Sequence, residues 1–283
     1  MLGTGINLSK FGSDHSDAEM LTMIREAGFD SFFTGLQGEK TVAACKETAE
    51  RLGLVYESIH APFHDINCMW DEGEAGDEYV RQLCAVTDIC ARFSIGYFTL
   101  HCMNVPRFNK DVVAPLKWSQ LGLDRFARVA EYAGERGVRA SFENVEFPQF
   151  ELKGLLENLQ ARGYDSIGWT WDVGHAHCYP SPGFDPAENF GNLLTGTHMH
   201  DNFGQSDPHV ITWDDDCHIL PFDGTVDFRR VGQTLRRLGY TGTVTLETGR
   251  RMTVPWCREL KPDEFLAMAH ERAVRIAMWC EEN

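Results

Sequence analysis

Residues 167–172 read IGWTWD, a short apolar run that ends in a carboxylate and passes at once into Val173-Gly174-His175. An apolar run of this length, rich in aromatic residues, reads as a buried strand. Five further stretches repeat it: LVYESIH (54–60), GYFTLH (96–101), VRASFEN (138–144), LLTGTHMHD (193–201) and GTVTLE (242–247). Each carries an imidazole or carboxylate toward its C-terminal end, so His60, His101, Glu143, Asp172, His198 and Glu247 hold equivalent positions. Parallel (β/α) barrels gather their reactive groups at that end of every strand. The recurrence predicts an α/β chain folded as one (β/α)8 TIM barrel, with a metal site distributed around its mouth.

The segments between the runs read as helices. Ser16 and Glu19 have capping-box spacing ahead of Met20, Met23, Ile24 and Ala27. Residues 39–52 read as helix with Gly53 as its stop, and further helices are expected over 77–93, 120–136, 151–162, 185–192, 226–238 and 262–281. Two more strands, over 3–8 and 30–34, complete eight βα units. No linker or low-complexity stretch interrupts them, which predicts a single domain over residues 1–283. The connections 61–76, 102–119 and 200–225 are long and all follow strands, on the same face as the candidate ligands. They contain Trp70, Phe108, Trp118, Phe203 and Trp213, rings suited to shaping a pocket for a small ligand.

Composition narrows the partners. The chain has 26 basic and 42 acidic residues, a formal net charge of -16, and no Lys/Arg-rich tract. That balance disfavours nucleic acid, though bound metal would neutralise some of the carboxylates. Nine scattered cysteines without a CxxC pair point to reduced thiols and a cytoplasmic protein. The N-terminus has no basic region followed by a long apolar stretch, and no segment reaches the roughly 18 apolar residues of a membrane span. Membrane association is not expected, and homo-oligomer formation stays open.

Glu143, Asp172, His198 and Glu247 form the core constellation. Carboxylates with one imidazole suit a divalent ion of intermediate softness such as Mn²⁺, Zn²⁺, Co²⁺ or Fe²⁺. Taken alone, Asp172 serves equally well as the N-cap of a helix at Val173, but four such placements on successive strands favour ligation. His60, His101, His175, Asp216 and His218 form a second set. Asp216 and His218 share one side of an extended segment, as do His198 and His200. His64, His177, His200 and His209 are candidates for substrate contacts or for bracing the ligands. The chain has no G-x-S-x-G elbow, phosphate-binding P-loop or strand-to-helix G-x-G-x-x-G, so serine hydrolase and nucleotide chemistries lack support. No lysine ends a candidate strand, which leaves Schiff-base chemistry without a nucleophile.

With these residues in place, the whole chain resembles the xylose isomerase-like TIM barrels, a superfamily of sugar isomerases, epimerases and endonuclease IV. The carriers are Ser58-Ile59-His60-Ala61-Pro62, Leu100-His101, Phe142-Glu143-Asn144, Trp171-Asp172-Val173-Gly174-His175, Thr197-His198-Met199-His200-Asp201-Asn202, Asp216-Cys217-His218 and Leu246-Glu247. The resemblance implies a divalent metal, Zn or Mn, held by Glu143, Asp172, His198 and Glu247. It also implies that Glu143 and Glu247 exchange a substrate proton next to a ketone, through an enediolate, in a sugar, sugar phosphate or related ketone. Trp70, His200 and Arg250 are the expected substrate contacts, with Arg250 or Arg251 placed to hold an anionic group. Ketose 3-epimerases of the superfamily carry an arginine six residues after the metal-binding histidine, where this chain has Gly204. Conversely, all nine ligands of the trinuclear endonuclease IV site have counterparts: the core quartet plus His60, His101, His175, Asp216 and His218. One to three ions and a zinc phosphoesterase activity are therefore the alternative expectation.

Overall fold

The computed structural model describes residues 1–9, 11, 13–104, 118–145, 147–207, 212, 214–249 and 259–281. Eight parallel strands form the sheet: β1 (Gly3–Asn7), β2 (Ser31–Gly35), β3 (Val55–His60), β4 (Tyr97–Leu100), β5 (Arg139–Glu143), β6 (Ile167–Asp172), β7 (Leu194–His198) and β8 (Thr243–Leu246). Their order is β7-β6-β5-β4-β3-β2-β1-β8, each pair parallel. The ring closes between β7 and β8 through Met199, whose N–H donates to Thr245 O at 2.8 Å and whose carbonyl accepts from Glu247 N at 3.1 Å. This closure, one residue past His198, ties that histidine's strand directly to Glu247.

The helices are α1 (Asp17–Ala27), α2 (Glu39–Leu52), α3 (Glu74–Arg92), α4 (Gln120–Glu135), α5 (Gln149–Ala161), α6 (Val173–Cys178), α7 (Pro186–Asn189), α8 (Phe228–Arg237) and α9 (Pro262–Trp279). The capping box holds: Ser16 Oγ accepts from Glu19 N at 3.3 Å, and Ser16 N donates to Glu19 Oε2 at 2.7 Å. Gly53 ends α2 at φ 70°, a left-handed turn that a side chain rarely adopts. Helix α3 starts three residues before the expected position, and the short α6 adds an element between β6 and α7. Among the described residues, no helix is long and apolar enough to cross a membrane.

Alternation along the strands separates the two sides of the barrel wall. Ile167, Trp169 and Trp171 are buried with the hydrophobic core, while Thr170 and Asp172 belong to the barrel interior. Burying side chains of this size is worth about 1.5–3 kcal/mol each, which anchors the polar face by anchoring the apolar one. Inside, Thr170 Oγ1 lies 2.7 Å from Ser141 Oγ and 3.2 Å from Thr99 Oγ1. Glu57 accepts from Ser31 Oγ (2.9 Å), Tyr97 OH (3.0 Å) and Thr245 Oγ1 (2.8 Å). The interior is thus a hydroxyl-satisfied polar column, with the candidate ligands at its C-terminal end.

Candidate metal centre

Glu143, Asp172, His198 and His60 are the last residues of β5, β6, β7 and β3, and Glu247 and His101 directly follow β8 and β4. The parallel sheet therefore brings them to one mouth. Three groups of candidate ligand atoms lie within 4.8 Å of one another: Glu143, Asp172, His198 and Glu247; His60, His101 and Glu143; and His175, His200, Asp216 and His218.

Glu143 is the hub of the first two groups. Its Oε1 is 2.5 Å from His198 Nδ1, and its Oε2 accepts from His60 Nε2 at 3.1 Å and His101 Nε2 at 3.0 Å. His198 Nδ1 also lies 3.3 Å from Glu247 Oε2. In the third group, Asp216 Oδ1 faces His218 Nε2 at 3.2 Å and His175 Nε2 at 3.6 Å, and His200 Nε2 is 3.1 Å from Asp172 Oδ1. His60, His175 and His218 share one arrangement. Each places Nδ1 on a backbone carbonyl, of Ala61, Asn144 and Glu247 respectively, and turns Nε2 into the cluster. An imidazole anchored through one nitrogen presents the other in a fixed direction, as metal-binding histidines do.

The buried charges of the cluster face one another. The ion-pair partners of Glu143, Asp172 and Glu247 among the described residues are all histidines. Burial pushes the Glu143 and Asp216 carboxyls up, but the charge of the neighbouring imidazoles outweighs it and holds both well below the usual carboxylate range. Burial likewise depresses His218, yet Asp216 and Glu247 more than reverse this and raise it to about 9. His175 and His198 stand well above the ordinary value for the same reason. Asp172 Oδ2 and His198 Nε2 are among the buried atoms of the described residues that have no hydrogen-bond partner. A buried carboxylate oxygen without a partner is costly. With clustered imidazoles and carboxylates around it, this donor set fits a divalent ion of intermediate softness.

A consequence for pH follows from the raised histidines. They carry protons at neutral pH in the metal-free cluster, and a metal displaces a proton from each nitrogen it binds. Apparent metal affinity is therefore expected to rise with pH through neutrality, because Glu247 and Glu143 hold the His198 imidazole well above its ordinary value. While a ligand nitrogen stays protonated, each displaced proton weakens binding by about tenfold per pH unit. Calorimetric titration at pH 7 in buffers of different ionisation enthalpy measures the released protons; a release of zero would contradict this charge state.

All nine residues of the two expected ligand sets converge. Asp172 is at once N-cap and cluster member, its Oδ1 accepting from His175 N at 2.6 Å. His200, two residues past the end of β7, is fully buried, with its Nε2 3.1 Å from Asp172 Oδ1 and its ring stacked on His218 at 3.7 Å. A Cβ on Gly174 would fall 2.0 Å from the His200 ring, so only glycine admits the ring at this point of α6. Trp70 donates its indole N–H to Cys102 O at 2.8 Å and packs on Trp118 and Phe126, bracing the loops that follow β3 and β4. His64 lies beside Phe63, and His177 is 2.8 Å from Thr225 Oγ1. Phe108, His209, Trp213, Arg250 and Arg251 fall outside the described residues.

Four further residues shape the site without having stood out in the sequence. Asn144 clamps Asp172, its Oδ1 accepting from Asp172 N (3.0 Å) and its Nδ2 donating to Asp172 O (2.7 Å). Asp201 accepts from the backbone N–H groups of Asn202, Phe222, Gly224 and Val226, which fixes the chain that follows His218. Phe33 stacks on His198 at 4.6 Å, and Phe63 stacks on His101 at 4.6 Å. Asn144 and Asp201 offered one signal, their place in the stretches after Phe142 and Thr197 that carry the family resemblance; the two phenylalanines offered none.

The family model described as "Xylose isomerase-like TIM barrel" matches residues 21–270. An uncharacterised protein of Methanocaldococcus jannaschii is 26% identical over 230 residues, which span 76% of this chain and 71% of that protein. Among solved structures, a D-psicose 3-epimerase from Clostridium cellulolyticum H10, described with D-tagatose, superposes with a TM-score of 0.74 at 12% identity over 100% of both chains. A xylose isomerase domain protein from Alicyclobacillus acidocaldarius has a TM-score of 0.74 at 17% identity, again over 100% of both. At those identities the two structures show the shared fold.

Proposed function

The chain belongs to the xylose isomerase-like TIM barrel family, and on that premise we propose that it is a divalent-metal-dependent isomerase or epimerase of a sugar, sugar phosphate or related ketone. The observation that carries this reading is the quartet at the barrel mouth, with His198 Nδ1 set between Glu143 and Glu247 and Asp172 beside them. These four residues would hold the ion. When bound, a divalent ion, Zn or Mn by this donor set, supplies Lewis acidity that lowers the barrier to removing a proton next to a carbonyl. The chain's own groups do the rest. Glu247, with a side chain 21% exposed, is the member of the quartet that a substrate reaches, and it removes the proton to leave an enediolate. His60 and His101 fix Glu143, while the rings of Phe33 and Phe63 flank the mouth. Sugar 3-epimerases among proteins of the same fold support this reaction class.

A small carbohydrate as the partner accords with the acidic balance of the chain. A cytoplasmic setting accords with the eight free cysteines among the described residues. In metal-loaded protein incubated in D₂O with a panel of ketoses and keto-inositols, deuterium is expected to enter a carbon next to the carbonyl. No exchange across the panel would remove the proposal.

One observation keeps a second reading: His60, His101, His175, Asp216 and His218 surround the quartet as a multinuclear phosphoesterase would require. Elemental analysis separates the two. For the isomerase, about one tightly held ion per chain is expected, retained in a His60→Ala/His218→Ala double variant. Two or three ions that fall in the variant would put phosphoester hydrolysis first.

A further inference from the structure

Among the described residues, four non-glycine positions adopt positive φ: Phe11, Ser94, His218 (φ 47°) and Phe222 (φ 76°). Two of these lie within one turn of chain after Asp216. In the left-handed region Cβ crowds the following carbonyl oxygen, and such backbone persists only where its surroundings hold it. Here one buried side chain does most of the holding. Asp201 is 0% exposed; its Oδ2 accepts from Phe222 N and Gly224 N, each at 2.9 Å, and its Oδ1 from Asn202 N (2.8 Å) and Val226 N (3.0 Å). Its backbone also exchanges two hydrogen bonds, at 2.8 and 3.1 Å, with Ile219, the residue next to His218. A Cβ on Gly224 would fall 2.4 Å from Asp201 Oδ1 and 2.3 Å from Asn202 O, so the turn meets the carboxylate at a point that only glycine fills. Helix α9 touches the outer side of the same turn. Arg272 Nη1 donates to Pro221 O and stands 2.8 Å from Asp223 Oδ2, and the Arg275 guanidinium lies 4.7 Å over the Phe222 ring. Those contacts reach the tip of the turn, whereas the contacts of Asp201 reach the residue beside His218. A carboxylate removed from water is costly unless its lone pairs are used, and three of the four amides that use them belong to this one turn.

We propose that Asp201 is a positioning residue: its carboxylate holds the backbone around His218 in the left-handed form and so aims that imidazole into the barrel mouth. In this form His218 Nδ1 reaches the Glu247 carbonyl at 3.0 Å, across to the chain that follows β8. Without the carboxylate, the amides of Phe222, Gly224 and Val226 turn to solvent and the bridge at Ile219 loses its support. His218 then relaxes to negative φ, which moves its Cβ and carries the ring out of place. The consequence for metal rests on the reading of His218 as a ligand; the hold on the backbone does not.

The test has two arms on the full chain, the first of them read without metal. In chelator-treated protein, Asp201→Ala is expected to speed hydrogen exchange at Phe222, Gly224 and Val226 by roughly tenfold or more, the equivalent of losing one charge-assisted hydrogen bond. It is also expected to shift the His218 imidazole signals in proton–nitrogen NMR spectra while those of His60 and His101 stay in place. Gly224→Ala presses on the same carboxylate from the side of the turn and is expected to give the same His218 shift, so the result does not hang on one variant that fails to fold. Asp201→Asn keeps one acceptor oxygen and is expected to fall between. His218 signals that stay unmoved in folded Asp201→Ala or Gly224→Ala protein overturn the proposal. In the second arm Zn²⁺ affinity is measured against a chromophoric chelator. Asp201→Ala is expected to weaken the site containing His218 by about 10–100-fold, as loss of an orienting partner does. In a His218→Ala background the same substitution is expected to change affinity by less than about twofold. A loss that persists in that background would show that Asp201 acts on the barrel at large, and overturns the positioning role. His218→Ala protein that binds Zn²⁺ as the parent does would remove His218 from the ligands, while the metal-free arm still decides whether Asp201 places it.

Discussion

Arg125→Met is expected to destabilise the folded chain by about 2–4 kcal/mol, since carbonyls left without a donor cost about 1–3 kcal/mol each, and to lower Tm by roughly 10 °C. The Arg125 side chain, on α4, is only 3% exposed. Its Nη1 donates to the carbonyls of Asp71 (2.6 Å), Cys68 (3.2 Å) and Met69 (3.2 Å), and its Nη2 donates to Gly73 O at 2.7 Å. Asp77 Oδ2 stands 3.5 Å away. One guanidinium therefore satisfies the carbonyls of the 3-10 turn Ile66–Trp70 and of the residues that lead into α3. Methionine keeps much of the stem volume but supplies no donor, leaving those carbonyls to be resolvated or orphaned. The same turn carries Trp70 in the loop after His60, so the loss would loosen one wall of the mouth. Urea unfolding of both proteins at one pH and one metal content measures the difference; a loss within 1 kcal/mol would show that water replaces the guanidinium.

Arg125 also marks where sequence reading stops. In α4 it stands beside Phe126 among charged and apolar residues, and nothing local separates it from the exposed Arg128. The carbonyls it binds lie more than 50 residues away in the chain. The early start of α3 has the same origin. Glu74, Ala75 and Gly76 fall in the expected 61–76 connection, yet a Cβ on Gly76 would fall 2.2 Å from the Arg125 guanidinium, so the space belongs to the arginine. By contrast, β6 was legible to the residue, since its apolar run is bounded by turn residues and its carboxylate ends it. Gly53 likewise marked the end of α2 correctly, at positive φ. The candidate ligands stood out in the sequence because chemistry recurred at one position of a repeated unit. The groups that orient them were not. Asn144 acts on the backbone of Asp172, 28 residues on, and Asp201 on amides about 20 residues on, contacts that only the closed barrel creates.

Glu143→Gln is expected to lower metal affinity by more than about 100-fold, because losing even an outer partner of a ligand costs 10–100-fold. The substitution is nearly isosteric, so the shape of the mouth is kept and the charge alone changes. Glu143 now accepts from three imidazoles at once. Glutamine offers one carbonyl oxygen to them and turns an NH₂ donor toward at least one ring nitrogen that is itself a donor. Stability shifts in a defined direction. The Glu143 carboxyl is held well below its unfolded value, so its ionised form contributes stability that is present above about pH 4.5 and lost as pH falls through the folded value. Glutamine removes that contribution at neutral pH and with it part of the acid-induced loss. The rings of His60 and His198, raised in part by Glu143, should also give up their protons at lower pH. Metal content after purification and the imidazole titrations by NMR read these effects independently of any substrate. A Glu143→Gln protein that retains its metal and leaves the histidine titrations unmoved would show that Glu143 is not the hub of the cluster, and the assignment of the quartet would fall with it.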